Sequence, residues 1–179
     1  IDYETLKTIK PDIIFTTMSA FGAGGPYSDR VGFDGIGQAM SGSMYLGGTP
    51  DQPVKSFAPY ADYGTASLAC VGTLGALLHR NRTGEGQRVE AALARTALTF
   101  NNAMLIEQSA LSTDRVGTLN RAQTMAPADL FKTNNGWFMS QVIGQPMFER
   151  WCKLVGAEEW LEDPRFADDL LRGENGEVV

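Results

Sequence analysis

Two short segments of the chain have the patterns of β-strands. The first covers residues 12–19, is rich in β-branched and apolar residues, and follows a helical pattern at residues 2–10 that ends at Pro11. The second covers residues 86–93. Because continuous apolar runs are typical of strands covered on both faces, we expect residues 12–19 to form a buried strand in an α/β core.

Three helices are predicted around the second strand. They cover about residues 33–44, 62–80 and 94–111, and a Thr-Gly pair ends the second helix. That helix contains the most apolar stretch of the chain, residues 64–78, which is shorter than the roughly 20 residues that cross a bilayer. We therefore interpret the stretch as a buried helix and not as a membrane segment.

The sequence becomes polar and irregular over residues 112–128, where we place a domain boundary. Residues 1–112 are predicted to be part of a large α/β domain, and residues 113–179 part of a small α+β domain. In the small domain we expect a hairpin at 129–143, closed at Asn134-Asn135-Gly136, because Asn-Gly supplies the positive φ angles of a tight turn. One helix and one or two shorter ones follow it.

Composition and charge narrow the classes of function. The net charge of −6, with 20% charged residues, predicts neither nucleic acid nor a membrane as a partner. Cys70 and Cys152 form no CxxC pair, which is typical of free thiols in a reducing compartment, so we expect a cytoplasmic protein. Because the chain begins at Ile1 inside a helical pattern and ends without a cap, we expect a fragment of a longer protein.

Metal and histidine chemistry find little support in the sequence. No Cys/His spacing is typical of zinc, so we expect no metal site. The single histidine, His79, lies at the end of an apolar helix, where a cation is favourable for structural reasons. No GxxxxGK[ST] motif is present, and the glycines at 22–25 are not followed by a helix as in a dinucleotide fingerprint.

Carboxylate chemistry remains, and two acids have informative neighbours. Asp34 and Asp62 both lie where a helix begins. Each could be an N-cap that accepts backbone N–H bonds, or a carboxylate kept ionised by the helix dipole and able to attack a thioester. The residues alone leave these alternatives open. The glycine-rich segment 21–32 is predicted to be a loop of the kind that often approaches ligands.

Six segments in order resemble the class III CoA-transferases, the family of formyl-CoA transferase, carnitine CoA-transferase and 2-methylacyl-CoA racemase. These segments are residues 21–34, 38–42, the P-Y-A-D run that ends in Asp62, 74–90, 129–138 and 162–167. The resemblance implies a partial CoA-transferase family III fold, with the end of a Rossmann-like large domain, a catalytic helix and a small α+β domain. It also implies a subunit about twice this length that forms an interlocked homodimer.

The resemblance implies specific roles for residues of this chain. Asp62 matches the family's catalytic aspartate, and Asp34 matches an acid near the thioester, so both are predicted to be catalytic. A further set is predicted to contact coenzyme A or its thioester: Arg30 near a phosphate, Gln38 and Tyr60 in the pocket, and Gly24 and Gly25 as backbone donors to oxyanions.

The implied reaction moves CoA from an acyl-CoA donor to a small carboxylic acid through an aspartyl anhydride and an aspartyl-CoA thioester. Two departures bear on specificity. Residues 120–127 contain no glycine where relatives have a glycine-rich flap, which leaves formyl or oxalyl specificity open. Phe33 stands where the racemases have a histidine, which favours a transferase. The alternatives are a racemase-like enzyme and a catalytically inactive, truncated module that binds a partner.

Overall fold

The computed structural model describes residues 1–179. They form two compact units, Ile1–Gly117 and Thr118–Val179. Helices and strands occur in both units, so the mixed α/β class predicted from the sequence is confirmed. The domain boundary that we place between residues 112 and 113 stays a prediction.

The first unit contains two strands and six helices. In chain order they are α1 (Tyr3–Ile9), β1 (Ile14–Ser19), α2 (Asp34–Met40), α3 (Ser43–Leu46), α4 (Tyr60–Thr83), β2 (Gln87–Ala92), α5 (Leu93–Phe100) and α6 (Asn102–Leu111). The predicted helix at 33–44 is two helices, because Gly42 adopts a φ of 78° between them. The predicted helix at 94–111 is also two, and Asn101 separates them.

Strands β1 and β2 are parallel, and α4 lies on the connection between them. Their register runs from Ile14 opposite Gln87 to Ser19 opposite Ala92, so both strands end at the same edge of the sheet. Each strand has only one neighbour. No residue of β1 is buried, and the side chains of Thr16, Met18 and Ser19 are exposed, so the expectation of a buried strand is wrong.

Helix α4 is buried on one face only. Small residues form its buried face: Ala61, Thr65, Ala69 and Ala76. Large apolar side chains on other faces are exposed, including Val71, Leu74 and Leu78. The expectation of a buried helix is therefore correct for the small-residue face and wrong for the rest. None of the helices combines the length and apolarity that crossing a membrane requires.

The second unit consists of a hairpin followed by short helices. Its elements are β3 (Ala128–Thr133), β4 (Gly136–Gln141), α7 (Gln145–Val155), two 3-10 helices (Glu158–Glu162 and Pro164–Phe166) and α8 (Asp169–Glu174). The predicted hairpin is confirmed, and its turn is Asn134-Asn135. The expected positive φ angles are wrong, because Gly136 already pairs with Thr133 and the turn closes without them.

A buried arginine organises the core of the second unit. Phe148, Cys152 and Phe166 are almost inaccessible to solvent, and Arg172 lies among them at 1% exposure. Its guanidinium is 4.4 Å from the centre of the Phe148 ring and donates to the Phe166 carbonyl at 2.7 Å. An ion pair with Asp169 compensates the buried charge.

Candidate functional site

The carboxylate of Asp34 caps helix α4. Asp34 is the first residue of α2 and is only 6% exposed. Its Oδ1 accepts the backbone N–H of Ala61 at 2.9 Å and that of Asp62 at 3.4 Å. The first N–H groups of a helix have no partner within the helix, so an acceptor here stabilises α4 by about 1 kcal/mol.

Buried and charged neighbours hold Asp34 in this orientation. The Gln38 amide donates from Nε2 to Asp34 Oδ2 at 2.6 Å, and its Oε1 accepts the Ser56 N–H at 2.9 Å. Gln38 is 1% exposed, and Lys55 Nζ lies 3.8 Å from Asp34 Oδ2. Gln38, which we predicted to be a pocket residue, therefore links α2 to the segment before α4 and lies below the surface.

Asp62 occupies the first turn of the same helix, but its carboxylate has no partner. It is the third residue of α4, it is exposed, and its side chain makes no hydrogen bond or ion pair. The N-cap residue is Pro59, which has no side-chain acceptor. Of the two roles that the sequence left open, Asp34 takes the capping one for α4. The Asp62 oxygens are left available to a ligand at the positive end of the helix dipole.

Asp62 lines a pocket of about 280 Å³ at the carboxyl ends of the two parallel strands. Ligands of open α/β sheets characteristically bind at this edge. The other lining residues are small or apolar: Met18, Ser19, Ala20, Gly32, Thr65, Ala66 and Leu93. Asp62 is therefore the ionisable side chain of a lining that is otherwise uncharged. At Gly32 an added Cβ would lie 2.9 Å from that of Ala20, so a side chain would crowd this wall.

The glycine loop, residues 20–32, connects β1 to α2 and contributes both of its ends to the Asp62 pocket. The middle of the loop does not line this pocket. Gly24 borders a neighbouring cavity of about 420 Å³, and an added Cβ at Gly24 or Gly25 would meet nothing within 4 Å. Ser19 borders both cavities. Neither Gly24 nor Gly25 lines the Asp62 pocket.

Two other predicted site residues also lie outside the pocket lining. Arg30 is exposed, and its guanidinium lies 4.7 Å from the centre of the Tyr27 ring. Tyr60 is the first residue of α4 and packs against Phe100, with ring centres 6.2 Å apart. The structure thus brings Asp34, Gln38 and Tyr60 to the start of the Asp62 helix, whereas Arg30 lies on the glycine loop against Tyr27.

Sequence reasoning did not single out Glu90, whose side chain accepts a hydrogen bond from the glycine loop. Its Oε1 accepts the Ala23 N–H at 2.8 Å. This bond, together with the charges of Arg88 and Arg95, outweighs partial desolvation and lowers the pKa of Glu90 below its usual value. An acid in the middle of a predicted strand could have drawn attention to Glu90. Its partner, Ala23, could not be predicted, because the two residues lie 67 positions apart in the sequence.

Comparison with known proteins places this chain in a family. The model of CoA-transferase family III matches residues 1–178. Succinyl-CoA–D-citramalate CoA-transferase of Chloroflexus aurantiacus is 33% identical to 98% of this chain, which covers 44% of the relative. Succinate–glutarate CoA-transferase of Agrobacterium fabrum is 33% identical to 96% of the chain, which covers 43% of the relative.

Solved structures agree with this assignment. A CAIB/BAIF family protein from Brucella suis has a TM-score of 0.76 at 31% identity, covering 99% of this chain and 47% of its own. Rv3272 of Mycobacterium tuberculosis shares the fold, with a TM-score of 0.81 at 24% identity over 99% of this chain and 46% of its own. The chain thus spans less than half the length of these relatives. The resemblance predicted from the six segments is confirmed, and the chain belongs to CoA-transferase family III.

Proposed function

We propose that this chain carries the nucleophile of a CoA-transferase, and that the nucleophile is Asp62. The observation that carries the proposal is that two acids at the N-terminus of α4 have different roles: one caps the helix, and the other has no partner. Asp34 accepts the N–H bonds that α4 needs, and the Asp62 carboxylate faces a pocket without a partner of its own. A nucleophilic carboxylate must be accessible and free of structural hydrogen bonds, and Asp62 is exposed and its side chain makes none.

The proposed reaction proceeds by two pairs of acyl transfers. An Asp62 oxygen attacks the donor thioester carbonyl, the C–S bond breaks, and CoA leaves as a thiolate from a mixed anhydride. The thiolate attacks the aspartyl carbonyl of that anhydride, and the donor acid leaves as a carboxylate. The acceptor carboxylate then attacks the aspartyl-CoA thioester and releases the thiolate again, which finally takes the acceptor acyl group and restores Asp62.

Apolar side chains lie beside the exposed carboxylate of Asp62. An anhydride and a thioester both hydrolyse when water reaches them, so exclusion of water protects the reaction. Met18, Ala20 and Leu93 supply an apolar lining beside the carboxylate. For Asp34 we infer a positioning role, because its carboxylate is committed to α4 and to Gln38.

The contacts with coenzyme A remain proposals on the residues predicted from the resemblance. Arg30 is our candidate for a CoA phosphate, since its guanidinium is exposed. Gly24 and Gly25 are our candidates for backbone donors, since both lie on an exposed loop. The substrates we infer are an acyl-CoA and a small carboxylic acid, in keeping with relatives named for transfers between succinate, citramalate and glutarate.

Two alternatives make different demands on the chain. A racemase needs a second acid/base near the first, but the nearby Asp34 carboxylate is bonded to α4 and to Gln38, and His79 lies near the far end of α4, about 25 Å from Asp62 at the helical rise of about 1.5 Å per residue. This distance favours the transferase. The second alternative, an inactive module that binds a partner, predicts no chemistry at Asp62.

We also infer a cytoplasmic homodimer, as the family resemblance and two free cysteines suggest.

The test is an assay of the protein expressed from its natural reading frame, with succinyl-CoA as donor and a panel of small carboxylic acids as acceptors. We expect Asp62→Ala to lower the rate of CoA transfer at least about a thousandfold, because the covalent route is lost. Asp51→Ala, in an exposed loop, is the matched control and is expected to keep the rate. An Asp62→Ala protein with unchanged turnover would refute the assignment.

A further inference from the structure

Glu90 lies outside the Asp62 pocket and accepts a hydrogen bond from the loop whose two ends line that pocket. Its side chain is 21% exposed on β2. Its Oε1 accepts the Ala23 N–H at 2.8 Å, near the start of the glycine loop. Ala20 and Gly32, at the two ends of this loop, both line the pocket. A bond that holds the loop to β2 therefore acts on the shape of the pocket.

Two arginines orient the Glu90 carboxylate. Arg88 Nη2 lies 2.9 Å from Oε2, and Arg95 Nη1 lies 3.2 Å from Oε1. These side chains are 45% and 58% exposed, so the ion pairs themselves contribute little to stability. Their effect is geometric, because they direct Oε1 toward the Ala23 N–H. A charged acceptor also makes this bond stronger than a neutral one.

The backbone at Gly22 packs directly against this carboxylate. Gly22 has a φ of +80°, and its N–H donates to Ser19 Oγ at 3.0 Å. An added Cβ would lie 2.6 Å from Arg95 Nη2 and 2.8 Å from Glu90 Oε1. The loop thus leaves β1 through two consecutive bonded N–H groups, at Gly22 and Ala23, with no space for a side chain between the backbone and Glu90.

We propose that Glu90 is a positioning residue that holds the glycine loop in the conformation that shapes the wall of the Asp62 pocket. The inference rests on the proposed function for its kinetic consequence, but not for its structural one. Glu90 contacts neither Asp62 nor the pocket interior. Its loss therefore weakens binding of the acyl-CoA while the reactivity of Asp62 is kept.

Three variants test the proposal. Glu90→Leu removes the acceptor, Glu90→Gln keeps an acceptor oxygen but removes the charge, and Glu85→Gln, at an exposed acid that precedes β2, is the control. Amide hydrogen exchange at Ala23 is measured without substrate, and KM and kcat are measured with succinyl-CoA. For Glu90→Leu we expect exchange at Ala23 and KM each to rise about tenfold, the equivalent of one lost hydrogen bond, with kcat within about twofold.

For Glu90→Gln we expect smaller increases in Ala23 exchange and in KM, and for Glu85→Gln we expect both quantities to stay near those of the parent protein. Unchanged exchange and KM in both Glu90 variants overturn the proposal, and so does a loss confined to kcat. If circular dichroism shows that Glu90→Leu does not fold, the Ala23 exchange rate and the KM of the isosteric Glu90→Gln variant decide whether the proposal holds. The exchange measurement needs no substrate, so a faster-exchanging loop in a protein without transferase activity refutes the proposed function and leaves the loop assignment intact.

Discussion

At the scale of single residues, Asp34 and Asp62 show how the same side chain takes two roles at one place. Both are aspartates in the first turn of a helix, and the sequence could predict that much. It could not predict that Asp34 would serve α4, because the bond to the Ala61 N–H joins residues 27 positions apart. That contact exists only once α2 lies across the start of α4. The bond between Glu90 and the glycine loop could not be predicted either, because it also joins residues far apart in the sequence.

Removing the Asp34 carboxylate tests this division of roles. In Asp34→Ala the Ala61 N–H and the Gln38 amide lose their acceptor in a buried setting. We expect the free energy of unfolding to fall by about 1–3 kcal/mol, measured by denaturant titration. Asp51→Ala, with an exposed side chain, is expected to change it by less than about 0.5 kcal/mol. Equal stability of the two variants would contradict the capping role.

At the scale of elements, periodicity and turn residues predicted the strands, the hairpin and the long helix, and Gly84 ends α4 with a φ of 79° as a C-cap should. Two predicted helices proved to be pairs of shorter ones. The breaks fall at Gly42 and Asn101, where the backbone conformation depends on neighbours far along the chain. The Asn101 amide donates to the Ser41 carbonyl at 2.9 Å, so the two breaks lie side by side.

Glycines in and beside α4 offer a test at this scale. Gly75 lies within the helix, and an added Cβ would meet nothing within 4 Å. We expect Gly75→Ala to stabilise the protein by up to about 1 kcal/mol and raise its melting temperature, because alanine favours a helix. At Gly86 an added Cβ would lie 2.1 Å from the Ile13 carbonyl oxygen. We therefore expect Gly86→Ala to lower the melting temperature of the protein. Matching shifts in the two variants would contradict the packing described.

At the scale of the whole molecule, the parallel pairing of β1 and β2 determines where the Asp62 pocket lies. Both strands end at one edge, which brings together Ser19, the glycine loop and the start of α5 beside Asp62. Sequence reasoning identified the family, because its motifs occur in the same order in this chain, and the role that it predicts for Asp62 stays a proposal. It did not identify the pocket lining, because Met18 and Leu93 lie 75 positions apart and meet only through the strand pairing.

The central claim is that the unpaired carboxylate of Asp62 forms covalent bonds with the substrate. The most direct test is mass spectrometry of peptides from the protein after brief incubation with succinyl-CoA. We expect an added succinyl or CoA group on the peptide that contains Asp62, its absence in Asp62→Ala, and no such group on the peptide that contains Asp34. A covalent group on Asp34, or CoA transfer with no modified aspartate at any time point, would contradict this account.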